Sequence, residues 1–336
     1  MKNACVVGYG AIGPVHSEVL SKSGYADLYA ICDIIPERAD EGAKKYGVKA
    51  LYSFDDVLAD ENIEVVHICT PHYLHVQMAI KALEAGKHIV LEKPVGMLLS
   101  EIDELEAIYK KTDKKACIML QNRTNNGMVK MKELIENDKT LGKMLGLSGF
   151  ITWSRDDGYY KSEEWRGKWA TEGGGLLINQ AIHMVDMLNW IGGGIKSLKS
   201  SISNKLINTI EVEDTADALF VLNNDVRGVF YASNAHSVNS PFLVEAAFEN
   251  ALLRYADSRL YRITEENCEV LAYDNRAEIG KKYWGNGHAN VINKFYYSLE
   301  NGGDDYIDLT EGLHSARVML SMYGDKKVER KEWIKL

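Results

Sequence analysis

The fold of the first part of this 336-residue chain is decided by one stretch, Val6-Val7-Gly8-Tyr9-Gly10-Ala11-Ile12-Gly13. The stretch has the spacing G-x-G-x-x-G, follows a short apolar run that predicts a strand, and precedes a run that predicts a helix. Asp33 stands 20 residues after Gly13, at the end of the next predicted strand. This is the context that a dinucleotide-binding βαβ unit requires, so the stretch predicts a cofactor site.

Each glycine of the stretch has a separate physical reason. Gly8 permits a tight turn, Gly10 lets the backbone approach a pyrophosphate at the helix N-terminus, and Gly13 allows close packing of helix on strand. The Asp33 carboxylate can accept hydrogen bonds from both adenosine ribose hydroxyls, which favours NAD over NADP. Arg38 is the nearest cation, and it is either a ligand of the adenosine end or a solvated helix residue.

The rhythm of the sequence predicts two domains of different type. Residues 1–121 alternate strand-like and helix-like segments, and the strands are continuous apolar runs, as in parallel strands that are covered on both faces. Residues 122–336 have consecutive strand-like runs with few helices between them, which predicts an α+β domain with a largely open, mostly antiparallel sheet. The fold class is therefore α/β, with a doubly wound Rossmann domain first and a substrate-binding and oligomerisation domain second.

Composition and charge exclude several classes of protein. The chain has 46% apolar and 26% charged residues and a net charge of −9, without a Lys/Arg block, so nucleic acid and anionic membrane are poor partners. The longest apolar runs are too short for a membrane-spanning helix. Five widely spaced cysteines form neither a disulfide framework nor a zinc motif. We expect a reduced, cytoplasmic protein without a resident metal.

Three further segments are Thr70-Pro71-His72-Tyr73-Leu74-His75, Glu92-Lys93-Pro94, and a run from Gly173-Gly174-Gly175 to Asn179, His183 and Asp186. With the glycine stretch, they occur in the order found in the glucose-fructose oxidoreductase / inositol dehydrogenase / rhizopine-catabolism (GFO/IDH/MocA) family, which the chain resembles over its first 190 residues. The resemblance implies an NAD-dependent dehydrogenase acting on a sugar or cyclitol. The chain after about residue 200 carries no motif that matches.

Polar residues at the ends of the predicted parallel strands are candidates for the cofactor site, because ligands bind at that edge of an open α/β sheet. In the family, a lysine at the position of Lys93 lies between nicotinamide and substrate, where it could stabilise a developing alkoxide. The Lys93–Pro94 bond is a candidate for the cis form. His72 replaces the Asn that the family usually has. The predicted cofactor-binding set is Gly8, Tyr9, Gly10, Ala11, Ile12, Gly13, Asp33, Arg38, Thr70, Pro71, His72, His75, Glu92, Lys93 and Gln121.

The predicted helix Leu176–Ile191 carries the second catalytic candidate. Asn179, His183 and Asp186 have i, i+4, i+7 spacing, which places them on one helical face. The family has Asp at position 179 and His at position 183. An Asn cannot relay a proton, so Asn179 would bind or orient the substrate and leave His183 as the acid/base. Asn is also a poor transition-metal ligand, which argues against a metal here.

Aromatic and cationic residues are predicted to bind the substrate. The segment from Trp153 to Trp169 is rich in rings and arginines, which suits the two faces of a sugar, although simple loop packing explains it equally well. The predicted substrate-binding set is Asn179, Arg123, Tyr160 and Arg166, with Lys93 and His183 as the catalytic residues.

Three readings of the function remain open. The first is NAD-dependent oxidation, or the reverse reduction, of a secondary alcohol on a sugar or cyclitol. The second is a nucleotide-sugar dehydrogenase, for which Arg123, Arg155 and Arg166 would be the cations that meet the diphosphate. The third is a dinucleotide-binding sensor without catalysis, which the joint presence of Lys93 and His183 disfavours. An open sheet leaves a face to be covered, so a homodimer or homotetramer through the C-terminal sheet is expected.

Overall fold

The computed structural model describes residues 1–205, 207–275 and 286–324. These residues form two compact units. The first unit comprises Met1–Asn125 together with residues 275 and 286–314, and the second comprises Asn126–Asp274 together with residues 315–324.

The first unit contains a six-stranded sheet with strand order β3-β2-β1-β4-β5-β6, in which all the observed pairs are parallel. This is the doubly wound order of a Rossmann fold, as expected. The strands are β1 (Lys2–Val7), β2 (Ala26–Cys32), β3 (Lys49–Leu51), β4 (Val65–Ile68), β5 (His88–Leu91) and β6 (Ala116–Ile118). The helices between them are α1 (Gly13–Lys22), α2 (Pro36–Tyr46), α3 (Phe54–Ala59), α4 (His75–Glu84) and α5 (Leu99–Tyr109).

Local sequence signals account for several of these helix ends. Pro36 occupies the first turn of α2, and Gly47 ends it with a φ of 69° in the left-handed region. Ser53 caps α3, where its Oγ accepts a hydrogen bond from the Asp56 amide at 3.1 Å.

The second unit contains an eight-stranded sheet with the order β14-β13-β12-β11-β7-β10-β9-β8. Its observed pairs are antiparallel except for β7 with β10, which confirms a mostly antiparallel sheet. The strands are β7 (Met144–Thr152), β8 (Ile195–Ser203), β9 (Thr215–Leu222), β10 (Arg227–Ser233), β11 (Leu243–Phe248), β12 (Leu252–Ala256), β13 (Arg259–Ile263) and β14 (Cys268–Tyr273). The helices are α6 (Asn126–Asn137), α7 (Asp157–Lys161) and α8 (Ile182–Ile191).

The unit boundary differs from the expected division between residues 121 and 122, because the chain returns to the first unit near its end. There α9 (Gly287–Asn301) packs against α1, and the Ile118 amide at the end of β6 donates to Ile307 O at 3.0 Å. The last helix within the described residues is α10 (Leu309–Ser321). Hydrophobic periodicity identifies a helix but does not identify the sheet on which it packs.

The two faces of the second sheet differ. On one face α8 lies so close to β7 that a Cβ on Gly149 would meet Met184 Sδ at 2.6 Å. On the other face Leu219 and Val229, which pair across β9 and β10, are exposed, and a shallow cavity of about 280 Å³ adjoins Val229. This face carries apolar surface, as expected for an open sheet.

Candidate active site

The glycine turn at the end of β1 has the geometry of a pyrophosphate cradle. Gly8 has a φ of +91°, and a Cβ there would lie 2.7 Å from Cys69 O. A Cβ on Gly13 would lie 2.1 Å from Gly8 O, so the turn itself requires both glycines. Gly10 differs, because the nearest atom to its Cβ position is Arg38 Nη1 at 4.0 Å. The open side at Gly10, with a cation above it, fits the close approach of an anionic cofactor.

The Asp33 carboxylate is held in place by the backbone of the same edge. Its Oδ2 accepts from the Tyr9 amide at 2.7 Å and its Oδ1 from the Ile35 amide at 2.9 Å. Each carboxylate oxygen has a second acceptor position, so both can still receive a ribose hydroxyl. The arrangement fits NAD.

His75 connects the loops that follow β4 and β5. Its Nε2 lies 2.8 Å from Thr70 O and its Nδ1 lies 2.6 Å from Pro94 O. Burial lowers the pKa of His75, and the two carbonyls partly oppose that effect. Both ring nitrogens therefore face carbonyl oxygens of the chain, which makes His75 a positioning residue for the two loops. A contribution of His75 to cofactor binding stays a prediction.

Lys93 is joined to Pro94 by a cis peptide bond, which confirms the expectation. The Lys93 amide donates to Glu92 Oε2 at 3.2 Å, and Glu92 Oε1 lies 3.0 Å from His16 Nε2. Glu92 thus links the Lys93 loop to α1 beneath the glycine turn. His72 is buried in the short 3₁₀ turn His72–Leu74 that precedes α4.

A buried chain of polar groups continues from Glu92 into the first unit. His16 Nδ1 lies 2.8 Å from His67 Nδ1, and His67 Nε2 lies 2.9 Å from Tyr296 Oη. Burial alone would raise the pKa of Glu92, but the hydrogen bond from His16 and the charges of His16, His288 and Lys93 lower it to about 2. Burial lowers the pKa of His288 to about 4, and it also lowers that of His67. The sequence analysis assigned none of these histidines to the network.

The second unit presents the other catalytic candidate on a helix that begins irregularly. Residues Leu177–Ala181 form a π-helical turn, and α8 follows from Ile182. This turn carries Asn179, so the expected regular helix from Leu176 is not what the structure shows; π-turns of this kind are frequent at functional sites. His183 is buried in the first turn of α8. Asp186 accepts from Ser315 Oγ at 2.6 Å, which is a structural contact.

Tyr159 is the centre of a polar cluster in this unit. Its hydroxyl oxygen accepts hydrogen bonds from Gln180 Nε2 at 2.8 Å and from Asn179 Nδ2 at 3.3 Å. Arg166 Nη1 also donates to this oxygen. Asn179 Nδ2 donates to Glu172 Oε1 at 2.7 Å, and Glu172 is fully buried. A carboxylate therefore lies next to Asn179, although the helix itself supplies only an amide.

Two of the predicted substrate-binding residues, Tyr160 and Arg123, are buried outside the polar cluster around Tyr159. Tyr160 is 5% exposed, packs with Ile207, Ile210 and Val212, and accepts from Asn234 Nδ2 at 3.1 Å. The polar position is taken by the neighbouring Tyr159, and substrate binding by Tyr160 stays a prediction. Arg123 is also buried.

Arg123 and Gln121 lie in the 3₁₀ turn Gln121–Thr124 of the first unit, and both are buried. Arg123 forms an ion pair with Glu311, so a carboxylate of the chain already compensates its charge. This argues against Arg123 as a substrate cation.

Glu213 is a further residue that sequence reasoning missed. Its carboxylate accepts from the amides of Gly175 at 3.0 Å and Leu177 at 2.8 Å, and from Tyr323 Oη at 3.0 Å. Burial raises the pKa of Glu213 to about 7, against the effect of these donors. Glu213 fixes the glycine-rich approach to the π-turn. One Glu within the acidic stretch Glu211-Val212-Glu213-Asp214 carries no sequence signal for this role.

Within the described ranges, no helix has the length and apolar character needed to cross a membrane. No group of three or more His, Cys, Asp or Glu side chains among the same residues is arranged to hold a metal ion.

Both units match family models of known proteins. Residues 2–120 match the oxidoreductase family with an NAD-binding Rossmann fold, and residues 128–258 match the GFO/IDH/MocA C-terminal domain. The chain is 32% identical over 276 residues to myo-inositol 2-dehydrogenase of Thermotoga maritima, covering 82% of this chain and 71% of that protein. It is 30% identical over 230 residues to levoglucosan dehydrogenase of Pseudarthrobacter phenanthrenivorans, covering 65% of this chain and 58% of that protein.

A solved structure extends the likeness over nearly the whole chain. The WlbA dehydrogenase from Bordetella pertussis, in complex with NADH and UDP-GlcNAcA, is 25% identical with a TM-score of 0.83, covering 96% of this chain and 95% of that one. The chain therefore belongs to the GFO/IDH/MocA family, and it is an NAD-dependent dehydrogenase acting on CH–OH groups.

Proposed function

We propose that the protein oxidises a secondary alcohol of a sugar, a cyclitol or a sugar derivative. The observation that carries this proposal is the buried His183 on α8, which follows directly on a π-turn whose Asn179 contacts the Tyr159 hydroxyl and the Glu172 carboxylate. Such a cluster suits a polyhydroxylated substrate, because each hydroxyl both donates and accepts. The relatives named for inositol and levoglucosan support the same substrate class.

The proposed chemistry divides between the two units. NAD, when bound, accepts the hydride from the carbinol carbon. His183 takes the hydroxyl proton, which an imidazole can do near neutral pH. The Lys93 ammonium stabilises the negative charge that develops on the oxygen. Asn179 orients a neighbouring hydroxyl.

The remaining proposed roles concern the cofactor. Gly8–Gly13 cradle the pyrophosphate, Asp33 binds the adenosine ribose, and Arg38 neutralises charge above Gly10. Thr70, Pro71, His72 and Gln121 line the same edge, and Glu92 fixes the Lys93 loop from below. The contacts of Asp33 and Glu92 with the backbone support this assignment, because they fix both carboxylates in direction.

A second candidate is a nucleotide-sugar dehydrogenase. The likeness to the WlbA dehydrogenase in complex with UDP-GlcNAcA favours it, and Arg155 and Arg166, which flank Tyr159, would be the cations that meet the diphosphate. A sensor without catalysis would bind NADH but turn over no alcohol.

A panel of cyclitols, neutral sugars and nucleotide sugars, followed by NADH absorbance, tests the proposal. We expect NADH formation with at least one polyhydroxylated alcohol. If NADH binds and no member of the panel is oxidised, while added aldoses or ketoses also fail to consume NADH, the proposed substrate class is wrong.

A further inference from the structure

We propose that the substrate carries an anionic group, a carboxylate or a phosphate, and that Arg155 and Arg166 bind it. This proposal rests on the proposed function, because it names the substrate class of the same polar cluster. Both arginines flank Tyr159: the guanidinium carbon of Arg166 lies 4.4 Å from the ring centroid and that of Arg155 lies 5.2 Å away. The two cations are therefore separated by no more than the sum of these distances.

Neither arginine has a carboxylate partner among the residues that the structure describes. Arg155 Nη1 donates to Ser154 O at 2.7 Å and to Asn239 Oδ1 at 3.0 Å, and Arg166 Nη1 donates to Tyr159 Oη. The Nε atoms of both are buried and lack a hydrogen-bond partner. Partly buried charges are normally paired, because removing them from water is costly. Arg123, the third cation of the sequence analysis, is paired with Glu311.

Three acidic side chains of this region accept hydrogen bonds from other donors. Glu172 accepts from Asn179 and from the Gly167 amide, Asp156 caps α7 at the Tyr159 amide, and Asp157 accepts from Thr209. These contacts give each of the three carboxylates a partner other than Arg155 or Arg166.

The stereochemistry of the pair suits an oxyanion. A guanidinium offers several N–H donors in a planar fork that matches a carboxylate or phosphate. Arg155, Tyr159 and Arg166 are partly exposed, so a solute can reach them. Through Tyr159 Oη, Arg166 is hydrogen-bonded to the cluster that contains Asn179, the residue proposed to orient a substrate hydroxyl, while Arg155 lies over the Tyr159 ring. An anionic group bound there would place the rest of a sugar next to that residue.

The test compares sugars that differ only in the anionic group. D-glucose is paired with D-glucuronate, D-galactose with D-galacturonate, and UDP-glucose and D-glucose 1-phosphate supply phosphate. We expect kcat/KM to be about tenfold to a hundredfold higher for one anionic class than for its neutral counterpart, and Kd for that anion, measured by calorimetry with NADH present, to rise with salt. Whether the uronates or the phosphates respond identifies the source of the charge.

Variants assign the effect to the arginines. Arg166→Gln and Arg155→Gln should each lower the ratio of anionic to neutral kcat/KM about tenfold, and Arg166→Lys should recover part of it because it restores the charge without the fork. Lys168→Gln removes an exposed neighbouring charge and should leave the ratio unchanged. Melting temperature, measured for every variant, confirms that each is folded, and NADH affinity, measured beside it, shows whether the cofactor site is unchanged.

Three outcomes would overturn the proposal. The first is a neutral sugar oxidised at least as well as every anionic partner, with the ratio unaffected by Arg166→Gln; the proposed function would then stand without an anion site. The second is a loss of NADH affinity in Arg166→Gln, which would assign the arginines to the cofactor. The third is an equal effect of Lys168→Gln, which would indicate general electrostatics. Arginine-dependent anion binding without any NADH formation would instead support the site and contradict the proposed function.

Discussion

At the scale of single residues, the contact between Asn179 and Glu172 has the sharpest chemical consequence. Asn179 donates from Nδ2 to Glu172 Oε1 at 2.7 Å and to Tyr159 Oη at 3.3 Å. The cluster therefore holds one carboxylate, on the loop before the glycines rather than on the helix. The motif predicted the importance of Asn179, but Glu172 could not be found from sequence, because no spacing rule relates a loop carboxylate to a helical amide.

Replacing Asn179 by Asp should impair the enzyme. The new carboxylate would meet Glu172 in a buried site, and two carboxylates at hydrogen-bond distance share a proton, which raises the pKa of one of them. We expect kcat/KM for oxidation to fall about tenfold. The double variant Glu172→Gln/Asn179→Asp exchanges the two groups and should recover most of the activity.

The pH profiles of kcat/KM for wild type, both single variants and the double variant check this expectation. An Asn179→Asp enzyme as active as wild type, with no gain in the double variant, would show that the two side chains do not interact in the working site.

At the scale of elements, the entrance to α8 depends on Glu213. The side chain accepts from the amide of Gly175, which precedes the π-turn, and from the amide of Leu177, which begins it. The sequence spacing correctly predicted a helix over Leu176–Ile191, but it did not predict that the first turn is π-helical. A π-turn depends on tertiary contacts such as these, and it leaves no periodic pattern in the sequence.

Stability of this element should depend on pH through Glu213. The pKa of Glu213 is about 7 in the folded protein and 4.5 for the free group, so the folded state holds a proton that the unfolded state releases. The contribution of the protonated Glu213 to the free energy of unfolding is fully present below pH 4.5 and is lost as the pH rises through about 7. Glu213→Gln is permanently neutral.

Thermal melts at pH 5 and pH 8 test this linkage. The advantage of wild type over Glu213→Gln should be larger at pH 5 than at pH 8, by on the order of 2 kcal/mol. An advantage that grows with pH would mean that the carboxylate is ionised at both values and that its three donors outweigh burial.

At the scale of the whole molecule, much of the architecture was readable from sequence. The alternation of strand-like and helix-like segments, with continuous apolar strands, predicted the parallel sheet. The consecutive strand-like runs after residue 122 predicted the antiparallel sheet. The return of α9 to the first unit was missed, because packing partners distant in sequence leave no local trace. The strands β8 and β12–β14 were also missed, since their half-exposed residues do not form continuous apolar runs.

Acid should destabilise the protein through the buried histidine network. The pKa of His288 is about 4 against 6.5 for the free group, and that of Glu92 is about 2 against 4.5. In both cases the unfolded state binds more protons than the folded state. The contribution of these groups to the free energy of unfolding is therefore fully present above pH 6.5 and is lost progressively as the pH falls. His288→Asn should flatten the fall of melting temperature between pH 7 and pH 4.5, whereas His236→Asn, which changes an exposed ring, should not. Parallel curves for His288→Asn and wild type would contradict this account.

Self-association through the second sheet stays a prediction. Leu219 is 64% exposed on the helix-free face and pairs with the exposed Val229. Leu219→Asp should reduce the mass measured by light scattering if this face joins two copies, whereas Leu145→Asp changes an exposed residue on the helix side and should not. A monomeric wild type, or a Leu219→Asp protein of unchanged mass, would exclude this interface.

The most direct test of the central claim is the rate of NADH formation by wild type, Lys93→Ala and His183→Ala on the best alcohol of the panel. Each replacement should lower kcat by about 10²-fold or more, because one removes charge stabilisation of the reacting oxygen and the other removes the acid/base. Dissociation constants for NADH and melting temperatures should stay close to wild type. Near-wild-type turnover by either variant would contradict the account.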